Sequence, residues 1–168
     1  HHVFQNKITP SDIDDNNNQI ATLINQMPFF AAYPPHLKTI LETHIENILT
    51  QWADIDHSRP QHRVFANEIE VNYEYQGINI RARIDRVDEL APDQYLLIDY
   101  KSSTHSTNWY QESQLHQLPI YAVLFGKKTS ALAYGVLKRD HTKLTGHCHE
   151  EIEHAPLKAI NQLGQNYQ

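Results

Sequence analysis

The chain has 168 residues, of which 40% are hydrophobic and 20% charged, a balance that excludes disordered and fibrous classes of protein. Its formal net charge of −6 at pH 7 argues against a free-standing protein that binds nucleic acid through a strongly basic surface. No apolar run approaches the roughly 20 residues that cross a bilayer, and the single cysteine, Cys148, excludes an internal disulfide and a four-cysteine iron–sulfur cluster. We therefore expect a single cytoplasmic domain over residues 1–168, with no membrane partner.

The first third of the chain predicts helices. Residues 20–27 predict a short helix, which follows a stretch rich in aspartate and asparagine. Apolar residues then recur at helical spacing and predict a longer helix over residues 36–52, with Pro35 in its first turn. The chain opens on His1-His2-Val3-Phe4 and stops at Gln168 without a helix cap. We therefore expect a fragment of a longer polypeptide.

Three runs in the middle of the chain predict β-strands, at residues 65–75, 78–88 and 95–101. Only Gln76-Gly77 separates the first two runs, and this is a two-residue turn whose glycine accepts a positive φ. A tight hairpin at this turn sets Glu68 beside Asp85. It also forms one wholly apolar face from the pairs Ile69–Ile84, Val71–Ala82 and Tyr73–Ile80. This agreement between the turn and the apolar pattern supports the register.

Acidic residues and a lysine are concentrated near the ends of the second and third predicted strands. Because side chains alternate along a strand, Asp99 and Lys101 share a face. A bulge, or a loop with an odd number of residues around Ala91-Pro92-Asp93, brings Asp85 opposite Asp99. We therefore expect a polar face and an opposite, buried face. The first contains Glu68, Asp85, Asp99 and Lys101, and the second contains Ile69, Val71, Ile84 and Ile98.

Two interpretations of this polar face are open. Neighbouring acids repel one another unless a cation lies among them, and hard divalent ions such as Mg²⁺ bind oxygen ligands. Alternatively, the residues form a solvated sheet face with ordinary cross-strand pairs such as Glu70–Arg83. The spacing of the whole set favours the metal-binding interpretation.

A helix and further strands follow the third strand. The helix is predicted over residues 109–125, kinked or restarted at Pro119. One of its faces contains Gln114, Gln117 and Tyr121. Residues 130–138 and 143–150 predict two more strands, and the segment from Ala155 begins as a helix. No glycine-rich phosphate loop is found, so any motor that feeds this domain lies outside this chain.

One ordered set of residues resembles the PD-(D/E)XK nuclease superfamily. The set consists of Asp85, then Asp99-Tyr100-Lys101 at the end of an apolar strand, then Gln117-Leu118-Pro119-Ile120-Tyr121. More narrowly, it is similar to RecB-type nuclease domains and to the AddB-like carboxy-terminal nuclease of probable DNA repair proteins. The likeness covers about residues 59–125. A lone Asp-x-Lys has little specificity, whereas the ordered set followed by Gln-x3-Tyr is specific.

The resemblance implies an α/β fold of the restriction-endonuclease type, with a mixed central β-sheet flanked by helices in the order α-β-β-β-α-β. The implied activity is Mg²⁺- or Mn²⁺-dependent cleavage of DNA in repair or recombination. The implied partners are DNA and a helicase-like region, which lies in the same polypeptide or in a partner subunit.

The resemblance also implies roles for individual residues. Asp85, Asp99 and the backbone carbonyl of Tyr100 would hold the metal ion, and Lys101 would orient the attacking water. His1, with His2 as the alternative, would be a further metal ligand, unless His1-His2 belongs to an affinity tag. Glu68 would be an auxiliary catalytic acid. The residues implied to position the substrate are Gln114, Gln117 and Tyr121.

Two other classes of function stay open. One is a nuclease-fold scaffold that binds DNA or a helicase partner without cutting it. The other is a β-rich interaction domain unrelated to nucleases. The complete set of Asp85, Asp99 and Lys101 favours an active enzyme over both, whereas a sheet that separated Asp85 from Asp99 would favour the interaction domain.

Overall fold

The structure is a computed structural model that describes residues 33–102, 117–148 and 158–159, together with Thr22 and Gln26. It divides into two compact units. The first comprises residues 1–58 and 137–143, and the second comprises residues 59–136 and 144–168. Among the described helices, none is both long enough and apolar enough to span a membrane.

The first unit contains one long described helix, α1, over Pro35–Ser58. Its first turn suits proline, whose missing N–H is not needed there, and the amide of Lys38 donates to the carbonyl of Pro34 over 3.0 Å. Its buried residues lie in the C-terminal half, at Leu49, Trp52, Ala53 and Asp56. The helix predicted from apolar periodicity is therefore confirmed, and it continues six residues beyond the predicted end at residue 52.

The described strands of the second unit form a six-stranded sheet in the order β1-β2-β3-β4-β5-β6. The strands are β1 (Arg63–Tyr75), β2 (Ile78–Ala91), β3 (Gln94–Lys101), β4 (Thr129–Val136), β5 (Lys143–Cys148) and β6 (Lys158–Ala159). The pairs β1–β2 and β2–β3 are antiparallel, whereas β3–β4 and β5–β6 are parallel. The sheet is therefore mixed, as the predicted fold requires.

The β1–β2 hairpin has the predicted register. Tyr75 pairs with Ile78, and the ladder continues through Val71–Ala82 to Ile69–Ile84. Both turn residues have positive φ, 49° at Gln76 and 80° at Gly77. Positive φ at both central residues is the conformation that matches the twist of a two-residue hairpin.

The regular alternation of β2 is interrupted beside Asp85. Ile84 and Val87 both belong to the main core cluster although they lie three positions apart, whereas a regular strand repeats its faces every two residues. The opposite strand is irregular at the same level, because Glu68 has a φ of 51°. Farther along, a register shift between Glu89 and Ala91 supplies the predicted irregularity before β3.

Helix α2, over Gln117–Phe125, packs on the sheet through its buried residues Leu118, Tyr121, Leu124 and Phe125. We call the covered side of the sheet the helix face. Tyr95 and Leu97 of β3 lie in the same cluster, and so do Val71 and Ile84. Of the helix predicted over residues 109–125, residues 109–116 lie outside the described part, and Pro119 lies in the first turn of α2.

Two predictions about this unit are wrong. Ile98 is fully buried, but it pairs with Arg86 and lies outside the core cluster that contains Ile84. The prediction assumed strict alternation through Asp85, where the structure has an irregularity. The segment predicted to begin as a helix at Ala155 instead supplies β6, because residues 158–159 pair with the edge of β5. Edge strands expose backbone groups that bind another strand, and this pairing overrides a weak local helical pattern.

Candidate active site

Asp85 lies on β2 and faces the end of β3. The β2–β3 ladder pairs Arg86 with Ile98, so its next step brings Asp85 opposite Asp99. The amide N–H of Tyr100 donates to a carboxylate oxygen of Asp85 over 2.8 Å. The pKa of Asp85 is nonetheless raised, chiefly by burial and further by the negative charge of Glu68. The chain thus holds this carboxylate in an environment that disfavours its charged form.

Asp99 lies near the C-terminal end of β3 and is only 2% exposed. Burial is the main cause of its raised pKa, and the charge of Asp85 adds to it. The ammonium of Lys101 opposes this shift from 2.6 Å away. Asp85 and Asp99 therefore form the predicted pair of neighbouring carboxylates, and the charge of Asp85 raises the free energy of ionising Asp99.

The donor set at this pair fits a hard divalent cation. Two carboxylates whose charged forms are destabilised by burial and by mutual repulsion gain stability from a positive ion between them. The backbone N–H of Tyr100 points to Asp85. Because the N–H and C=O of a strand residue point to the same neighbouring strand, the carbonyl oxygen of Tyr100 adds an oxygen ligand on the side of Asp85. Oxygen ligands of this kind suit Mg²⁺ and Mn²⁺.

Lys101 is held by contacts from two further elements. Its ammonium donates to the amide oxygen of Gln117 on α2 over 2.8 Å. The amide nitrogen of Gln117 in turn donates to the hydroxyl of Tyr121. The ammonium also lies 5.9 Å from the centroid of the Tyr134 ring. Lys101 is therefore surrounded by Asp99, Gln117 and Tyr134, while its side chain stays 26% exposed.

The two tyrosines at this site have raised pKa values. Burial raises the pKa of Tyr121, and the charges of Asp99 and Asp85 add to the effect. Burial and the charge of Asp99 likewise raise the pKa of Tyr134 to about 12. Both phenols therefore keep their protons at physiological pH. They offer neutral hydroxyls and rings beside the acids rather than additional negative charge.

Glu68 lies close enough to Asp85 to raise its pKa, as the predicted register implies. Its carboxylate also forms an ion pair with Arg83, whose Nε lies 2.7 Å from it. Its positive φ departs from regular strand geometry. Glu68 thus belongs to the periphery of the site, where a salt bridge already engages it.

The predicted polar residues share one face of the sheet with core residues and do not form a separate polar face. Val87 pairs with Leu97, and both lie in the core cluster on the helix face. The same alternation puts Asp85 and Asp99 on that face, and Lys101 contacts α2 there. The acids and lysine therefore lie at the end of the core beneath α2, not on a separate solvated face. This location explains why burial is the largest cause of both raised pKa values.

Not every predicted residue is described. His1, the implied metal ligand, and Gln114, an implied substrate contact, both lie outside the described residues. Tyr134 was missed as a site residue, because its position next to Asp99 depends on the parallel β3–β4 register. A crossover of more than twenty residues separates these strands, so no local pattern reports that register.

A second polar cluster lies on the opposite side of the sheet from α2. Asp88 is fully buried and accepts from Arg59 Nη2 on one oxygen and from Arg86 Nε on the other, each over 2.7 Å. His62 Nε2 lies 3.9 Å from the same carboxylate. His62 and Asp88 have the chemistry of metal ligands, but two guanidinium groups already supply Asp88 with positive charge. This cluster is therefore a buried ion-pair network, and it suits a cation less well than Asp85 and Asp99 do.

Comparison with known protein families gives an informative match. A family model described as the PD-(D/E)XK nuclease superfamily matches residues 1–164, which is nearly the whole chain. A search of curated proteins finds none that matches the chain significantly.

Proposed function

The chain belongs to the PD-(D/E)XK nuclease superfamily, and on that premise we propose that it hydrolyses DNA phosphodiester bonds with a divalent metal ion. The observation that carries the proposal is the pair of neighbouring carboxylates, half-buried Asp85 and buried Asp99, with Lys101 2.6 Å from the second. An acid pair with raised pKa values and an adjacent lysine is costly to maintain in a sheet. Such groups are typical of sites that perform chemistry.

In this proposal Asp85, Asp99 and the carbonyl of Tyr100 hold Mg²⁺ or Mn²⁺. A bound ion of this kind would polarise the scissile phosphate and make an attacking water more acidic. Lys101 orients that water through its ammonium and offsets the negative charge that grows on the phosphate in the transition state. Glu68 acts as an auxiliary acid beside Asp85, and its salt bridge to Arg83 fixes the orientation of its side chain.

Gln117 and Tyr121 link helix α2 to the chemistry. Gln117 accepts from Lys101 and donates to Tyr121, so the three side chains form one hydrogen-bonded row. We propose that this row positions the DNA strand being cut, with Gln114 and His1 as a further substrate contact and a further metal ligand. The exposed end of the row at Gln117 is where a phosphate would approach.

The finer assignment follows from the sequence resemblance. We propose a RecB- or AddB-like nuclease that acts in DNA repair or recombination in the cytoplasm. Residues 1–168 would form its nuclease domain, served by a helicase-like region of the same polypeptide or of a partner subunit. The net charge of −6 supports such a partner, because DNA must be brought to an acidic protein by positive charge located elsewhere.

The decisive test combines DNA cleavage with metal binding. Purified protein is incubated with single- and double-stranded DNA in Mg²⁺, in Mn²⁺ and in a chelator, and Mn²⁺ binding is measured by calorimetry. We expect metal-dependent cleavage by the natural sequence, and Asp99→Ala should bind no Mn²⁺ at this site. Lys101→Ala should bind Mn²⁺ but cleave about 10²–10³-fold more slowly, as expected when a group that stabilises transition-state charge is lost.

Lys128→Ala is a matched control, since Lys128 is an exposed lysine in the loop before β4. Its cleavage rate should equal that of the natural sequence. If the natural sequence binds Mn²⁺ and DNA but never cuts, the domain is a scaffold and not an enzyme. If Lys101→Ala cuts at the normal rate, the proposed role of Lys101 is wrong even though the family assignment stands.

A further inference from the structure

Tyr134 is a buried residue that the proposed mechanism does not use. It lies on β4 directly beside Asp99 in the parallel β3–β4 ladder and is 2% exposed. Its ring centroid lies 5.9 Å from the ammonium of Lys101. An ammonium within about 6 Å of an aromatic face is attracted by the negative charge density of that face. The ring therefore gives the catalytic lysine a further attractive neighbour besides Asp99 and Gln117.

We propose that Tyr134 is a positioning residue whose aromatic ring confines the Lys101 ammonium to its place between Asp99 and Gln117. The proposal rests on the function proposed above, since it concerns the same active site. Lysine has a flexible four-carbon stem and a compact charge, so a single ion pair does not fix the position of its ammonium. A third attractive neighbour further limits the positions that the side chain can adopt.

The ring has an advantage over a further carboxylate. When Asp99 binds a divalent ion, less of its negative charge is available to attract Lys101. A neutral ring does not compete for the ion, and its attraction for the ammonium is unchanged. It also accepts no conventional hydrogen bond from Lys101, so the N–H groups of the ammonium stay available for water and phosphate.

Tyr134 is also a core residue, so the test must separate positioning from packing. The chain offers a matched control in Tyr95, which lies in the same core cluster and is 4% exposed. Tyr95 packs against Phe65 and Phe125 and lies 5.2 Å from the exposed Lys127, not near Lys101. Tyr95→Leu removes a comparable ring from the same core and leaves the surroundings of Lys101 intact.

The experiment compares Tyr134→Phe, Tyr134→Leu and Tyr95→Leu at a temperature well below the thermal midpoint of the least stable variant. We expect Tyr134→Leu to lower kcat for DNA cleavage by about 2- to 30-fold, with KM for DNA and Mn²⁺ binding unchanged. Tyr134→Phe keeps the ring and should keep kcat, and Tyr95→Leu should lose stability but not kcat. Equal losses in Tyr134→Phe and Tyr134→Leu would overturn the proposal, as would a normal kcat in Tyr134→Leu or an equal loss in Tyr95→Leu.

A second measurement does not depend on cleavage. In NMR spectra of the natural sequence, the Cε methylene protons of Lys101 should be shifted upfield by the ring, and Lys101→Ala assigns their signal. Tyr134→Phe should keep this shift, and Tyr134→Leu should abolish it; if Tyr134→Leu does not fold, Tyr134→Met replaces it because methionine fills irregular core space. Absence of the shift in the natural sequence would overturn the proposal. A protein that shows the shift but never cuts DNA would instead refute the proposed function.

Discussion

The substitution Asp88→Asn tests whether Asp88, the fully buried acid of β2, has a structural role. The amide keeps the shape of the carboxylate but removes the negative charge that Arg59 and Arg86 each contact over 2.7 Å. It also directs an NH₂ group at one of the two guanidinium groups. Removing one partner of a fully buried ion pair costs about 3–5 kcal/mol. For a chain of this size each kcal/mol lowers the thermal midpoint by about 2–4 °C, so the loss should be about 6–20 °C.

The neighbouring residue supplies the control. Glu89 pairs with Arg63, whose side chain is 71% exposed. Such a pair is worth less than about 1 kcal/mol, so Glu89→Gln should lower the thermal midpoint by no more than about 4 °C. Both midpoints are measured by circular dichroism in the same metal-free buffer. Equal shifts of the thermal midpoint for Asp88→Asn and Glu89→Gln would refute the reasoning. The burial of Asp88 would then make no additional contribution to the free energy of unfolding.

The same variant also separates two locations for a metal ion. Asp88 lies on the opposite side of the sheet from α2, so Asp88→Asn should bind Mn²⁺ like the natural sequence wherever it is folded. Asp85→Asn should not bind it at the proposed site. If Asp88→Asn abolishes Mn²⁺ binding while its circular dichroism spectrum stays native, the ion binds at His62 and Asp88 and the proposed active site is wrong.

Three further predictions concern stability. Because burial raises the pKa of Asp85, folding favours its protonated form, and its contribution to stability is lost as the pH rises through the folded pKa. Asp85→Asn should therefore raise the thermal midpoint of the metal-free protein at pH 7, by an amount that shrinks as the pH falls toward about 4. A difference in midpoint from the natural sequence that stays constant with pH, or that has the opposite sign, would contradict this. Gly146→Ala should cost more than the roughly 1–3 kcal/mol of ordinary overpacking, because the new Cβ overlaps the carbonyl oxygen of Leu132. Gly126→Ala, whose Cβ meets nothing within 4 Å at a φ of 67°, should cost only about 1–2 kcal/mol, and urea unfolding compares the two. Lys127→Ala should cost about 0.5–1 kcal/mol in the same assay, because the ammonium lies 4.6 Å from the centroid of the Phe65 ring. An unchanged urea midpoint would show that this contact does not contribute to the free energy of unfolding.

The hairpin could be predicted from the sequence because its information is local. A two-residue turn at Gln76-Gly77 fixes which residues pair, and the apolar pattern on both sides agrees with it. The facing positions of Asp85 and Asp99 followed once an irregularity near Ala91 was allowed, and the ladder has one there. Local turn chemistry and a period of two therefore sufficed to bring the carboxylates together.

The surroundings of the carboxylates could not be predicted in the same way. Strict alternation placed Ile84 with Ile98 and opposite the acids, but the irregularity beside Asp85 leaves Ile84 on the helix face together with Asp85 and Leu97. An irregularity of this kind leaves no mark in the order of apolar and polar residues. The contact of Tyr134 with Lys101 depends on a parallel pairing across a long crossover, and the β6 pairing depends on an available strand edge. These features arise from tertiary contacts, which sequence periodicity does not encode.

The parallel pairing of β3 with β4 has a consequence for how activity is acquired during folding. Asp85 and Asp99 come together through antiparallel neighbours that are close in sequence, whereas Tyr134 reaches Lys101 only after the crossover through α2 is complete. Contacts between residues far apart in sequence form slowly, because the entropy of closing the loop must be lost first. We expect a refolding chain to regain its affinity for Mn²⁺ before it regains a fixed lysine. Under the proposed function, a newly made or partly unfolded copy would bind the metal ion without being able to cut DNA.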